Sequence, residues 1–324
     1  MTTTTIETAT DNKTQFLQET LAGLRSEPKF MLSKYFYDAT GDRIFQQIME
    51  MEEYYLTNAE MEILQYQAKQ ISQAISADGG TFDLIELGAG DATKSIHLLK
   101  SLLDSQLEFS YFPIDISAHV ISDLEESLPK KLPGLDMKGL NGDYFNMLKK
   151  ATELSSRRKV VLFMGANIGN MSIADAGKFC SSLKKLLSPK DLLIIGFDLK
   201  KNPQQILSAY NDKGGITRSF NLNLLHRINK ELDGNFDLAN FEHYASYDPA
   251  SGACKSYLIS LKKQIVNIGQ NAIHFAENEH VFMEISQKYS LNDIDQLAEK
   301  AGFKPLQRFF DQHQYFVDAI WKAG

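Results

Sequence analysis

The chain has 324 residues, 43% hydrophobic and 23% charged, an ordinary globular composition that can build a sizeable core as one large or two smaller domains. A formal net charge of −7 without a long Lys/Arg run argues against a duplex footprint, so no nucleic-acid partner is expected. Two distant cysteines, Cys180 and Cys254, and seven histidines without ligand spacing predict a reducing, cytoplasmic setting, no disulfide framework and no metal.

The start, Met1-Thr2-Thr3-Thr4-Thr5, has neither the basic opening nor the apolar stretch of a signal peptide, and residues 1–12 are expected as a flexible tail. Helical patterns follow at about 13–25 and 42–51. Thr57-Asn58-Ala59-Glu60 reads as a capping box that opens a helix to about Ser76. From there strands alternate with helices. The expected strands are Phe82–Leu87, Phe109–Ile114, Lys159–Met164 and Leu192–Asp198. The helices between them are Ala92–Leu103, Ala118–Glu126 and Ile173–Leu187. Apolar strands in this rhythm predict a doubly wound α/β fold, a parallel sheet with helices on both faces. The longest apolar runs, Val160–Met164 and Leu192–Phe197, suit buried strands and are too short to span a bilayer, so no membrane partner is expected. Past Asp198 the rhythm breaks. Residues 203–232 read as mostly helical, and Lys255–Val266 and Val281–Ser286 alternate like half-exposed strands. Helix Leu291–Ala301 and strands Lys304–Phe310 and Gln314–Trp321 return to the sheet pattern. The expected division is a sheet domain over 62–200 and 288–324, with a second lobe over 13–61 and 201–287.

Chemistry begins at Glu86-Leu87-Gly88-Ala89-Gly90, where a buried strand runs into a short glycine turn. Glycine permits the sharp turn and the close approach of a ligand, and ligands of open α/β sheets bind at the carboxyl ends of strands. The turn has two glycines and no Gly-Lys-Ser/Thr after it, which excludes a P-loop. It suits a ligand without a pyrophosphate, such as S-adenosylmethionine, with Glu86, Gly88 and Gly90 as contacts; an ordinary βα turn is the alternative. Asp115 ends the next strand, where a carboxylate can accept both ribose hydroxyls. Capping of the following helix by Asp115 or Ser117 is its alternative. Asp143 and Tyr144 could hydrogen-bond and pack on an adenine, or be a turn and a core aromatic. In Gly165-Ala166-Asn167-Ile168-Gly169-Asn170, Asn170 offers donor and acceptor to an amino acid's ammonium and carboxylate, or caps the next helix. No G-x-S-x-G elbow or HExxH occurs. His243, beside Glu242, reads as a structural histidine.

Several motifs in order carry a specific resemblance. They are Tyr35-Phe36-Tyr37-Asp38-Ala39-Thr40-Gly41, Phe45, Glu53-Tyr54-Tyr55-Leu56-Thr57-Asn58-Ala59-Glu60, the Glu86–Gly90 turn, the 165–170 segment, Phe220-Asn221-Leu222-Asn223, Ile228-Asn229-Lys230-Glu231-Leu232, Phe241-Glu242-His243 and Met283-Glu284-Ile285-Ser286. Together, over roughly 30–324, they resemble the L-histidine Nα-methyltransferase family of ergothioneine biosynthesis. The resemblance implies a Rossmann-like class I methyltransferase domain with an additional α+β substrate-binding lobe. It places the cofactor, S-adenosyl-L-methionine (product S-adenosyl-L-homocysteine), on Gly88, Lys94, Asp115, Asp143 and Tyr144; the family pattern has phenylalanine at the last. The substrate's amino and carboxylate groups fall to Tyr37, Gly165, Asn170 and Tyr210. The imidazole falls to Tyr54, Glu284 and Ser286, with Phe45 lining the pocket. Ser256 stands where the family has methionine, a change that leaves more room and one more hydrogen bond.

Glu284 and Ser286 flank Ile285, so on a strand both point to one face, and a carboxylate with a hydroxyl can pair both imidazole nitrogens; an exposed strand face with a helix-capping serine is the alternative. The expected reaction is methylation of the α-amino group of a free amino acid, L-histidine, repeated to the trimethyl betaine hercynine. Tyr37 and Asn170 are the candidate catalytic residues, orienting the amine. Two alternatives remain open at this point: an α-N-methyltransferase of another aromatic amino acid such as a tryptophan derivative, and a non-catalytic cofactor-binding sensor or partner subunit.

Overall fold

Phe16, Thr20 and Leu24 recur at helical spacing and are all buried, so the chain opens with an amphipathic helix, α1 (Thr3–Arg25). The computed structural model describes residues 3–324, with side chains from residue 12 onward. Helical backbone therefore covers most of the stretch expected as a tail, while the first two residues lie outside those described. Once a packed turn exists, each further residue adds a hydrogen bond at little cost, which carries the helix back into the polar segment.

A short strand β1 (Lys29–Phe30) and a 3-10 turn (Ser33–Phe36) lead to α2 (Ala39–Glu50). This helix starts earlier than the pattern suggests because Asp38 caps it, accepting from the Gly41 amide at 2.7 Å. Helix α3 (Tyr55–Ser76) follows. Then come β2 (Phe82–Leu87), α4 (Ser95–Asp104), β3 (Phe109–Asp115), α5 (Ala118–Lys131), β4 (Leu140–Asn141), α6 (Tyr144–Leu154), β5 (Arg158–Phe163), α7 (Ile173–Leu186) and β6 (Leu192–Asp198). Helices α8 (Pro203–Tyr210) and α9 (Ile216–Leu232) precede strands β7 (Phe241–Asp248), β8 (Ala253–Ser260), β9 (Gln264–Ile268), β10 (Asn271–Phe275) and β11 (His280–Gln287). Helix α10 (Leu291–Ala301) and strands β12 (Phe303–Phe310) and β13 (Phe316–Ala323) end the chain.

The chain divides into two compact units. One holds the residues up to Tyr55 with Lys201–Ser286, the other Leu56–Lys200 with Gln287–Gly324. The second is the sheet unit. Its seven strands run β12-β13-β6-β5-β2-β3-β4. The run from β4 to β6 is parallel, and β13 is antiparallel to both neighbours. Chain order reverses direction between β2 and β5. The loops that follow these two strands therefore diverge and leave a crevice, the usual ligand position in such sheets. Ile85, Phe163, Ile195, Leu297 and Trp321 belong to its core. The doubly wound Rossmann-like class I architecture is the one expected. In the other unit, β1-β11-β8-β7 form one sheet and β10-β9 a second. Phe36, Phe220, Leu224, Ile228, Leu258 and Met283 pack together there.

Three expectations need correction. The stretch 255–266 is not one strand. It breaks at Leu261–Lys263 into β8, which pairs with β7, and β9, which pairs with β10. The alternation continues in step across the break, so periodicity could not reveal it. Helix α6 and strands β7 and β10 went unanticipated. The unit boundary falls at Tyr55/Leu56 rather than 61/62, because α3 packs as a whole in the sheet unit through buried Ile63, Leu64, Ile71 and Ile75. Among the described residues no helix is long and apolar enough to cross a membrane.

Candidate active site

The cofactor-side residues belong to the sheet unit. After β2, Gly88 (φ +74°) and Gly90 (φ +53°) adopt the left-handed conformation that only glycine takes cheaply. The amides of Gly88 and Ala89 both donate to the carbonyl of Ile114, at 2.8 and 3.2 Å, so the turn is tied to the end of β3. A Cβ on Gly88 would lie 2.7 Å from the Tyr144 hydroxyl and close the space in front of the turn. Asp115 accepts from the Gly90 amide at 3.3 Å and the Ser117 amide at 2.9 Å. Ser117, not Asp115, caps α5 by accepting from Val120. Asp115 thus links the two strand ends and remains half-buried where a diol would meet it.

Asp143 does cap α6. It accepts from the Asn146 amide at 3.0 Å and the Asn146 side chain at 2.6 Å. Those bonds, the backbone one foremost, hold its carboxyl below the usual range. Each carboxylate oxygen can accept a further bond, so a cap at this exposed position still has acceptor capacity. The Tyr144 ring stands edge-on to Phe163, with centroids 5.9 Å apart.

Glu86, expected among the cofactor contacts, is instead held inside, 4% exposed, where it accepts from the Tyr111 hydroxyl. Burial pushes its carboxyl up to about 7, against the opposing effect of Tyr111. It stands on β2 two residues before Gly88. Because the folded state binds this proton more tightly than the unfolded chain, the stability contribution is present at low pH. It is lost as the pH rises from the ordinary 4.5 through about 7. Glu86→Gln is therefore expected to flatten the decline of Tm across this window. An unchanged slope in a Tm–pH series would show that Glu86 does not carry the proton.

Lys94 comes just before α4 and forms an ion pair with Glu60. Glu60 was expected to turn back onto Thr57 in a capping box. In fact its helix begins at Tyr55, and the wholly buried carboxylate instead accepts from the Gly165 amide at 2.7 Å. A buried charge has more to gain from an ammonium than from a surface cap. Local spacing missed this residue. A usable signal was the glycine in Leu192-Leu193-Ile194-Ile195-Gly196-Phe197-Asp198, since glycine within a buried strand marks close approach by another group.

After β5, Gly165 (φ +77°) and Ala166 (φ +55°) make the second turn. The Asn167 side chain donates to the Met164 carbonyl at 2.9 Å. Ser172 caps α7 by accepting from Asp175 at 3.2 Å, so Asn170 is not the cap and its side chain is exposed. Gly165 and Asn170, matched to the substrate, thus stand on the same unit as the cofactor turn.

The other unit gathers most of the remaining residues matched to the substrate into one chain of contacts. Tyr37 lies edge-on to Phe45 at 5.6 Å, Phe45 to Tyr54 at 6.5 Å, and Tyr54 to Tyr210 at 6.1 Å. The hydroxyls of Tyr210 and Ser286 are hydrogen-bonded at 2.7 Å. Phe220, to which no pocket role was assigned, contacts both Tyr37 and Phe45. Asp38 accepts from the Asn223 side chain at 2.9 Å as well as capping α2, which ties the Tyr37 segment to α9. Glu284 is half-buried on β11, two residues before Ser286. Ser256 is buried on β8 directly opposite Ala245. His243 is buried and pushed down to about 4 by that burial, a neutral structural histidine. Among the described residues no cluster of three or more His, Cys, Asp or Glu side chains is placed to hold a metal.

The glycine cradle that a Cβ would fill, the Asp115 carboxylate and the Lys94 ammonium suit the diol and the carboxylate of S-adenosylmethionine. Comparison with known proteins agrees. Residues 16–323 match a family described as histidine-specific methyltransferase, SAM-dependent. A histidine N-alpha-methyltransferase of Mycolicibacterium smegmatis is 33% identical over 87% of this chain and 87% of its own. Its namesake from Mycobacterium tuberculosis is 30% identical over 91% of each. An L-tryptophan methyltransferase of Psilocybe serbica is 27% identical over 87% of this chain and 86% of its own.

Proposed function

The chain belongs to the histidine-specific, S-adenosylmethionine-dependent methyltransferase family, and we propose that it methylates the α-amino group of free L-histidine, successively, to the trimethyl betaine hercynine. The observation that carries the acceptor assignment is the Tyr210–Ser286 hydroxyl pair, two residues along β11 from the Glu284 carboxylate. An imidazole needs a donor and an acceptor for its two nitrogens, and a carboxylate with a hydroxyl supplies them. A site built this way rejects apolar analogues by about 10⁴-fold, because its own groups would be left unpaired.

When bound, S-adenosylmethionine supplies an electrophilic methyl group. The protein's task is then alignment, which can contribute about 7–11 kcal/mol. In this reading Asn170 and Tyr37 orient the amine, with Gly165 and Tyr210 beside the carboxylate and Tyr54 and Phe45 beside the ring. The amine must reach them without its extra proton. A model α-amino group loses that proton at about pH 7.7–8.0 and a free amino acid's at a higher pH; in this reading water carries the proton away while Tyr37 and Asn170 orient the amine. A cytoplasmic setting belongs to the same proposal and suits the two free, buried cysteines.

One observation favours a second reading. Ser256, where the family has methionine, is a smaller residue paired with Ala245 across β7 and β8, and a substitution of this kind beside the acceptor ring would suit one larger than imidazole, as in a tryptophan derivative. Incubation with labelled S-adenosylmethionine and each of the twenty amino acids separates the readings. Label on histidine alone is expected. Label on tryptophan alone would support the second reading, and label on none would make the protein a cofactor-binding sensor.

A further inference from the structure

Glu60 is 0% exposed, an expensive place for a carboxylate unless every oxygen is paired. The fold makes room for it. A Cβ on Gly196, in the middle of β6, would lie 2.4 Å from its Oε1. The two oxygens then serve two different turns. Oε1 accepts from the Gly165 amide, and Oε2 takes the Lys94 ammonium. Asp318, opposite Gly196 on β13, is the other buried carboxyl here. Burial foremost, and then the Glu60 charge, push its carboxyl well above the usual range; neither of its oxygens has a hydrogen-bond partner, and Glu60 is the carboxylate in contact with Lys94. Against the penalty of burial, Glu60 keeps Lys94 charged above the ordinary lysine range. The Lys94 side chain keeps 27% of its surface exposed. The position a Cβ would take on Gly165 is empty space 3.7 Å from Lys94 Nζ and 3.5 Å from Asn167 Nδ2, so two donors rim the gap left by that glycine.

We infer that Glu60 is a positioning residue for cofactor binding: one buried carboxylate that holds the Lys94 ammonium toward the carboxylate of the cofactor's amino-acid tail and pins the Gly165 turn that leads to Asn170. The inference rests on the cofactor reading of Lys94. Its chemistry is specific to a carboxylate, because both partners of Glu60 are donors. Glutamine offers a single acceptor, and its amide nitrogen would face the ammonium. With the Gly165 contact kept, Glu60→Gln sets Lys94 loose without changing side-chain size.

The test is calorimetry on the whole protein with two ligands, S-adenosylhomocysteine and 5′-methylthioadenosine, which lacks the amino-acid tail. Glu60→Gln is expected to weaken S-adenosylhomocysteine about 10-fold or more, as for loss of a hydrogen bond to a charged group, and to leave methylthioadenosine unchanged. Equal weakening of both ligands, no change, or tighter binding of the tailed ligand overturns the inference. If Glu60→Gln does not fold, Glu60→Asp carries the same test. It keeps the charge and both acceptors on a stem one carbon too short to reach both turns, and the same selective loss is expected. Neither ligand contains a methyl acceptor, so the outcome is independent of which amino acid is methylated. Wild-type protein that bound neither would instead overturn the cofactor reading itself.

Discussion

Glu284→Ala is expected to lower kcat/KM for histidine about 100-fold, with S-adenosylhomocysteine bound as tightly as by the wild type. Truncating a charged hydrogen-bond partner costs about 1.5–3 kcal/mol, and each 1.4 kcal/mol is tenfold in rate. Loss of water exclusion around the stranded ring nitrogen adds to this. The selectivity follows from where the residue stands. Glu284 lies on β11 in one unit, whereas Gly88, Lys94, Asp115 and Tyr144 all belong to the other. Steady-state kinetics with histidine, paired with calorimetry on the cofactor product, reads both effects. A parallel loss of cofactor affinity would place Glu284 outside the acceptor site.

Asp115→Ala should do the reverse, lowering affinity for S-adenosylhomocysteine about 100-fold. Asp115 accepts from Gly90 and Ser117 before any ligand arrives, so its carboxylate is already oriented. Removing it takes away two charge-assisted acceptors for the ribose diol and also loosens the glycine turn. Asp115→Asn keeps one acceptor and is expected to fall between. Equilibrium binding measures the series, and equal affinity in all three proteins would return Asp115 to a purely structural role.

The sheet unit was legible because its central strands are buried on both faces. Phe82–Leu87 and Leu192–Asp198 are short, mostly apolar stretches that suit covered strands, and their observed limits match those expected. The other unit was harder to read. Its strands are half-exposed, and β8 and β9 keep one alternation across a break that only their different partners reveal. Among functional candidates, glycine turns and strand-end carboxylates were visible because they sit at element ends with few other uses. Glu86 has the spacing of a ligand contact, and only the tertiary structure shows that its buried carboxylate bonds Tyr111. Glu60 was misread as a cap because a capping box is a local pattern, while its real partners stand at sequence separations of 34 and 105.

By itself, then, the sequence determined the layered fold, the glycine turn and the family, all of which depend on periodicity or on motifs contiguous in the chain. The tertiary structure decided which of the polar groups are bonded to one another. It closed Asp143 into a cap, left Asn170 exposed beside Ser172, and joined Tyr37, Phe45, Tyr54, Tyr210 and Ser286 into one chain of contacts. The physical reason is burial. A carboxylate in water finds its partners in the solvent, but one shut beside Gly196 must find every donor within reach, and those donors come from turns distant in the chain.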